Sequence, residues 1–150
     1  QKKKCDSLLK EMIEIARTCP YFAPIVSIVG IGENLAARII AELRDVSRFD
    51  NRAAIVAYAG LNPKIQQSGD IDGLHLKISK KGNKHLRCLL YLGAQCNYRL
   101  RKEDPLYEFT KKKRQQTQCP LSSKAAYTAS AHKLLVIIYS LCKNGTLYHS

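Results

Sequence analysis

Apolar residues recur at helical spacing along most of the chain, which predicts a mostly α fold built as a helical bundle. Asp6 or Ser7 is expected to cap the first helix, since both side chains accept backbone N–H bonds well. Gly60 and Gly145 follow two of the apolar stretches, where a left-handed glycine commonly ends a helix. The predicted helices cover residues 6–17, 23–29, 33–43, 52–59, a stretch that begins at 83, 105–114 and 123–144.

Residues 62–82 interrupt the helical pattern. Turn-forming residues such as Pro63, Gly69 and Gly73 are frequent there, and only short alternating runs separate them. This composition predicts an irregular loop or a small β-hairpin inserted into the helical fold. Loops of this length inside compact domains are usually either functional or disordered, so the insertion is the first candidate for a site.

Two glycines, Gly30 and Gly32, separate the second and third predicted helices, and residues 23–43 are typical of a helix-hairpin-helix. Glycines let a backbone turn tightly and approach a phosphate closely, while the N-terminus of the following helix offers free N–H groups. We therefore predict a sequence-independent phosphate contact at these two residues. The alternative is a packed pair of helices that touches no nucleic acid.

Charge is the strongest functional signal in the composition. The chain of 150 residues carries 25 basic and 12 acidic side chains, a net charge of +13. Residues 21–60 hold four of each sign, whereas residues 61–102 hold nine basic and two acidic side chains. A basic excess that spans several elements favours a polyanionic partner, nucleic acid before membrane. The longest apolar run, residues 134–139, is far shorter than the ~20 residues of a membrane span, so no membrane partner is expected.

Four short motifs follow one another along the chain in a specific order. They are Gly30-Ile31-Gly32, Tyr58-Ala59-Gly60-Leu61-Asn62-Pro63, Ser68-Gly69, and Ser79-Lys80-Lys81-Gly82-Asn83 with Leu86-Arg87. In this order the motifs resemble the C-terminal domain of the DEDD-type insertion-sequence transposases, the one-ten, one-sixteen and nine-oh-two family, which also includes the pilin-gene DNA invertases. The resemblance extends over residues 25–145.

The resemblance implies a domain organisation. Residues 1–19 would be the end of a linker or coiled-coil helix, and residues 20–150 would be the transposase C-terminal domain. Within that domain we expect the helix-hairpin-helix at about 23–43, a serine loop at about 62–82 and C-terminal helices over 83–145.

The resemblance also implies an activity, that of a transposase or site-specific recombinase with Ser68 as the catalytic nucleophile. Family members pair this domain with an N-terminal ribonuclease-H-like domain that binds the metal ion. No metal site is therefore expected in this chain, magnesium is expected in that other domain, and the chain alone would be inactive. The implied partners are DNA, a guide RNA and further copies of the protein as a dimer or tetramer. The implied location is the prokaryotic cytoplasm, at the nucleoid.

The residues themselves leave alternatives open. A serine needs a base or a metal to become nucleophilic, and a Ser-Gly pair such as Ser68-Gly69 is more often a turn. Ser79 is a competing serine that we interpret as a turn or capping residue. Tyr91 and Tyr98 could stack on bases or belong to the core. The runner-up function is a non-catalytic nucleic-acid-binding or subunit-assembly module. The predicted nucleic-acid contacts are Gly30, Gly32, Lys77, Lys80, Lys81, Asn83, Lys84 and Arg87.

Overall fold

The computed structural model describes residues 1–63 and 78–149. Within these ranges the chain forms seven α-helices and one short 3-10 helix, so the predicted mostly α fold is confirmed. The α-helices are α1 (Lys2–Arg17), α2 (Phe22–Val26), α3 (Glu33–Leu43), α4 (Arg52–Ala59), α5 (Lys84–Leu100), α6 (Pro105–Gln115) and α7 (Ser123–Asn144), and the 3-10 helix is Val46–Arg48.

Local capping explains where several helices begin and end. The Asn51 side chain accepts the N–H of Ala54 at the start of α4, and the predicted left-handed Gly60 ends that helix. Ser122 accepts the N–H of Ala125 at the start of α7, and Gly145 ends it with the same left-handed geometry. These bounds follow the predictions because capping depends only on residues a few positions apart.

Two predicted helix ends are wrong. Helix α1 begins at Lys2 instead of residue 6, and neither predicted capping residue caps it, because the preceding lysines favour helix themselves. Helix α2 ends at Val26 instead of residue 29. There the Ser27 hydroxyl bonds the Pro24 carbonyl oxygen at 2.6 Å, and the following backbone tightens into turns.

Helix α7 lies at the centre of the packing and contacts α2, α4, α5, α6 and the 3-10 helix. In the part of the chain that is described, it is the one helix long and apolar enough to cross a membrane. Its apolar positions are instead part of the protein core. The fully buried large side chains are Ile25, Ile28, Ile39, Leu43, Ile55, Leu61, Leu86, Leu90, Leu106, Leu134, Leu135 and Ile138.

A buried polar corner joins α5, α6 and the C-terminal tail. The Asn97 amide Nδ2 donates to Asp104 Oδ2 at 2.7 Å and to the Val29 carbonyl oxygen at 2.9 Å. The Tyr148 hydroxyl donates to Asp104 Oδ1 at 2.8 Å, and its backbone N–H bonds the Ser27 hydroxyl oxygen. Burial, followed by the bond to Asp104, raises the pKa of Tyr148 well above its usual value. The tail is thereby tied to the turn between α2 and α3.

Candidate nucleic-acid interface

The residues on either side of the predicted serine loop lie next to each other in the fold. Pro63 and Ile78 form an isolated antiparallel bridge. The backbone N–H of Ser79 donates to the Asn62 carbonyl oxygen at 2.7 Å, and that of Lys80 donates to the Gly60 carbonyl oxygen at 3.2 Å. We call residues 58–63 and 78–83 the loop base. Ser68 and Lys77 lie between its two halves, outside the described residues.

Gly82 allows the second half of the loop base to press against the end of α4. Its φ is +147°, and a Cβ atom there would lie 2.5 Å from the Tyr58 carbonyl oxygen and 2.6 Å from the Gly60 nitrogen. The next backbone N–H, that of Asn83, donates to the same Tyr58 oxygen at 2.7 Å. A glycine is required at this position because any side chain would collide with backbone atoms.

Arg87 also bonds the end of α4. Its Nη1 donates to the Ala59 carbonyl oxygen at 2.8 Å, which satisfies an acceptor that the helix itself leaves free. A Cβ atom at Gly60 would lie 2.6 Å from this nitrogen. Part of the predicted phosphate-binding capacity of Arg87 is therefore used within the chain.

Asn83 connects three helices. Its Oδ1 accepts the N–H groups of His85 and Leu86, both at 3.0 Å, and so caps α5. Its Nδ2 donates to Glu42 Oε2 at 2.7 Å and to the Tyr58 hydroxyl oxygen at 3.2 Å. The amide was predicted to contact nucleic acid, and in the structure both of its polar atoms already have partners.

Tyr58 completes this network. Its hydroxyl donates to the Glu42 backbone oxygen at 3.1 Å, and the Arg48 guanidinium lies 4.6 Å from the centre of its ring. The bond from Asn83, with a further contribution from Arg48, lowers the pKa of Tyr58 despite partial burial. The motifs at 58–63 and 79–83 therefore form one packed unit that holds both ends of the loop.

Exposed cations surround the loop base. Lys80, Lys81 and Lys84 are exposed, and none of them forms an ion pair with a described residue. Lys84 and Arg87 both line a cleft of about 270 Å³. The remaining lining residues are Leu61, Ile78, Cys88, Tyr91, Lys124, Thr128 and Ala131. The predicted basic residues of this region that the structure describes thus lie close together.

The two hairpin glycines have different surroundings. Gly30 has a φ of +93°, and a Cβ atom there would lie 2.5 Å from the Asn97 backbone nitrogen, so the close approach is to α5. Gly32 is exposed at the N-cap of α3 and has open space around it. Beside it, both Glu33 carboxylate oxygens accept from Arg17 Nη2, at 2.8 and 2.9 Å. The phosphate contact at the hairpin stays a prediction, with Gly32 as the accessible residue.

Sequence reasoning missed Glu42 and the structural role of Tyr58. Asn83 could be recognised as a helix cap from its position before α5, but its partner Glu42 lies 41 residues earlier. Of the two roles expected for Ser79, a turn or a cap, the cap of α5 belongs to Asn83, and the Ser79 backbone N–H bonds the Asn62 carbonyl oxygen within the loop base. Within the described ranges, no group of three or more His, Cys, Asp or Glu side chains could hold a metal ion.

The loop-base motifs belong to a stretch that matches a family model. The model is that of the transposase IS116/IS110/IS902 family, and it covers residues 23–109, more than half of the chain. The chain belongs to this family. The match takes in the hairpin, both halves of the loop base, α5 and the start of α6.

Three relatives agree with this assignment. The chain is 36% identical over 129 residues to the putative transposase y4rJ of Sinorhizobium fredii, covering 85% of this chain and 32% of that protein. It is 34% identical over 86 residues to the transposase for insertion sequence element IS1111A of Coxiella burnetii, covering 57% and 23%. It is 24% identical over 151 residues to an uncharacterized 43.6 kDa protein of the insertion element IS110 from Streptomyces coelicolor, covering 100% and 35%. The chain thus spans about a third or less of the length of these curated relatives.

Proposed function

We propose that this chain is the nucleophile-bearing domain of an insertion-sequence transposase, that it binds DNA at the loop base, and that Ser68 attacks the DNA backbone. The observation that carries the proposal is the loop base itself. Its two halves are the family motifs that flank Ser68, and they are bonded to each other, to α3 through Glu42 and to α5 through Arg87. The loop base therefore sets the two points between which the chain segment that contains Ser68 begins and ends.

The surrounding charge supports DNA as the substrate. Lys80, Lys81 and Lys84 have no acidic partner among the described residues, so binding phosphates would not require breaking ion pairs. Cations that surround the loop base on several elements can bind the phosphates of a DNA backbone. Contacts of this kind do not depend on the base sequence.

The proposed chemistry is a phosphoryl exchange. The Ser68 Oγ forms a bond to a backbone phosphorus, the bond from that phosphorus to a deoxyribose oxygen breaks, and the departing oxygen takes up a proton while the serine loses one. Attack by a hydroxyl group of another strand reverses the step and restores the serine. The number of phosphodiester-type bonds is unchanged, so the exchange needs no external energy source. By the family resemblance, a magnesium ion that activates the serine would be held by the N-terminal domain, and the described residues of this chain hold no metal-ligand cluster.

The proposal includes partners beyond DNA. A guide RNA, assembly as a dimer or tetramer, and action in the cytoplasm are carried over from the family resemblance. A non-catalytic binding module remains the alternative, and the experiment below distinguishes it from the nucleophile-bearing domain.

The test compares two serines in the full-length transposase. Ser68→Ala should abolish the covalent protein–DNA adduct and strand transfer, measured on denaturing gels with peptide mapping of the trapped adduct. Binding to DNA, which the lysines provide, should remain within about twofold of the parent.

Ser79→Ala is the matched control. The Ser79 backbone N–H bond to Asn62 survives the change, and its hydroxyl has no hydrogen-bond partner among the described residues. This variant should form the adduct at the parent level. An adduct that persists in Ser68→Ala, or that maps to Ser79 or to a tyrosine, would leave only the binding-module function.

A further inference from the structure

The eight tyrosines of the chain fall into two groups of four. In the first group every hydroxyl donates a hydrogen bond within the chain, to Asp45, Glu42, Phe49 or Asp104. In the second group no hydroxyl has a partner among the described residues. The first group is Tyr21, Tyr58, Tyr139 and Tyr148, and the second is Tyr91, Tyr98, Tyr107 and Tyr127.

The second group forms a continuous row of half-buried rings across three helices. Tyr91 and Tyr127 have ring centroids 5.8 Å apart, and so do Tyr127 and Tyr98, both pairs in edge-to-face geometry. Tyr98 stacks on Tyr107 at 5.3 Å with 27° between the ring planes. We call these four residues the tyrosine strip. Along the strip the rings come from α5, then α7, then α5 again and finally α6.

Cations lie at both ends of the strip. At one end Tyr91 lines the cleft that also contains Lys84, Arg87 and Lys124. This cleft is open, and most of its lining is apolar.

At the other end the Arg114 guanidinium lies 5.0 Å from the centre of the Tyr98 ring, and Lys111 Nζ lies 5.7 Å from that of Tyr107. One carboxylate, Glu108, contacts these cations, 3.8 Å from Lys111. The described residues give Arg114 no acidic partner.

This combination suits one chemical class of ligand. A single strand of nucleic acid presents bases and phosphates together. Its bases can stack on the tyrosine rings and enter the mostly apolar cleft beside Tyr91, while its phosphates can bind the cations at either end of the strip. None of these four hydroxyl oxygens is among the buried atoms that lack a partner, so solvent, and therefore a ligand, can reach the hydroxyl edge of each ring. A paired duplex keeps its bases stacked inside and could not reach the rings.

We propose that the tyrosine strip and the adjoining cleft bind a short stretch of unpaired nucleotides. One base occupies the cleft against Tyr91, and the strand continues toward Tyr98 and Arg114. Unpaired RNA and unpaired DNA both present this chemistry. The proposal rests on the proposed function only in taking nucleic acid as the partner, and it does not involve Ser68.

The test measures fluorescence anisotropy of the whole chain with a labelled oligonucleotide of about 12 nucleotides, within the usual site size for such surfaces. The same sequence is used as single-stranded RNA, as single-stranded DNA and as duplex DNA. The double variant Tyr91→Leu/Tyr98→Leu should weaken binding of the single strands about tenfold or more, because each lost ring removes a stacking contact. Duplex affinity should change less than about twofold.

Two control variants isolate the aromatic faces. Tyr91→Phe/Tyr98→Phe keeps the rings and should bind single strands like the parent, while Tyr21→Leu changes a half-buried tyrosine outside the strip and should also bind normally.

For the cations, Arg114→Gln should weaken single-strand binding several-fold. Lys143→Gln, which alters a comparable pair with Tyr139 at 5.5 Å, should leave it unchanged.

A second measurement uses the unmodified chain, so its result does not depend on whether the variants fold. The unmodified chain is cross-linked by ultraviolet light to the same single strands carrying a photoreactive uracil, and the adducts are mapped to peptides. Adducts on the peptides of the strip support the proposal, and the tighter of the RNA and DNA arms identifies the strand.

Equal losses of single-strand and duplex binding in the leucine variant, when that variant is folded, would overturn the proposal. So would adducts confined to residues outside the strip and cleft. A failure of this kind leaves the Ser68 experiment unaffected, so the two proposals fail separately.

Discussion

Gly30 and Gly145 both adopt left-handed backbone angles, with φ of +93° and +63°, but their surroundings differ. At Gly145 a Cβ atom would meet nothing within 4 Å, so the glycine serves only the left-handed end of α7. At Gly30 a Cβ atom would lie 2.5 Å from the backbone nitrogen of Asn97, which belongs to another helix. The hairpin glycine therefore determines how closely the turn after α2 packs on α5.

Substitution to alanine should separate these two requirements. Gly145→Ala should lower the free energy of unfolding by about 1 kcal/mol, the cost of a left-handed alanine. Gly30→Ala should lower it by about 3 kcal/mol or more, because the Asn97 backbone must also move. Urea denaturation of both variants measures the difference, and equal losses would mean that the close approach costs nothing.

Helix α5 connects the loop base to the buried polar corner through its two ends. Its first residues carry the Asn83 cap and the Arg87 bond to α4, and its last turns carry Asn97 and the strip residue Tyr98. A displacement of this helix would therefore disturb the loop base and the polar corner together. The N-cap is the point where this coupling can be tested most directly.

Two asparagine caps provide a matched comparison. Asn51→Ala removes only a cap and should cost about 1 kcal/mol of unfolding free energy. Asn83→Ala also removes the bonds to Glu42 and Tyr58 and should cost roughly 3 kcal/mol. Urea unfolding measures both costs, and similar values would show that the bonds to Glu42 and Tyr58 contribute little.

An aspartate at the same position distinguishes capping from the link between helices. Asn83→Asp retains a good cap but places a carboxylate against Glu42, so it should destabilise by about 1–3 kcal/mol. Adding Glu42→Gln should recover much of that loss, because the glutamine amide can donate to the new carboxylate. A double-mutant cycle from urea unfolding checks this, and additive costs would contradict the link.

On the scale of the whole molecule, the C-terminal tail and the core share a pH dependence. Burial raises the pKa of the Cys142 thiol to about 12 from its ordinary 9.0. Burial and Asp104 raise that of Tyr148 above its ordinary 10.0. Both groups lose their protons in the unfolded chain before they do so in the folded one. Their contribution to stability is therefore complete below about pH 9 and is lost as the pH rises.

The free energy of unfolding should therefore decrease above pH 9, with a slope of up to about 1.4 kcal/mol per pH unit for each group. Tyr148→Phe should reduce the slope above pH 10, and Cys142→Ala the slope from pH 9 upward. Urea unfolding at several alkaline pH values measures both. A parent protein whose stability is flat between pH 8 and pH 11 would contradict the prediction.

The distribution of charge over the molecule predicts how binding depends on salt. The logarithm of the affinity for duplex DNA should fall linearly with the logarithm of the salt concentration, with a slope of about −0.9 for each phosphate neutralised. Charge reversal at Lys80, Lys81 and Lys84 should weaken binding about tenfold or more. Reversal at Lys2, Lys3 and Lys4 in α1 is the matched control and should weaken it less. Anisotropy titrations decide this, and equal losses would argue against a binding surface at the loop base.

Much of the helical fold and the position of the loop could be predicted locally. The bounds of α4 follow from apolar periodicity, the Asn51 capping side chain and the left-handed Gly60, all within a few residues of each end. The bounds of α3 follow from its apolar periodicity, without a capping side chain. The 3-10 helix at Val46–Arg48 was missed because three residues leave no periodic pattern. The end of α2 was misplaced because a single hydroxyl bond from Ser27 favours a turn over another helical step.

The sequence by itself determined the class of fold, the family and the region where basic residues gather, since composition, motif order and short-range spacing carry that information. Only the tertiary structure decided how the motifs are used. Asn83 meets Glu42 across 41 residues, and Gly30 meets Asn97 across the fold. The tyrosine strip draws its four rings from three different helices. Such contacts depend on how the helices pack against each other, and no local pattern of residues specifies them.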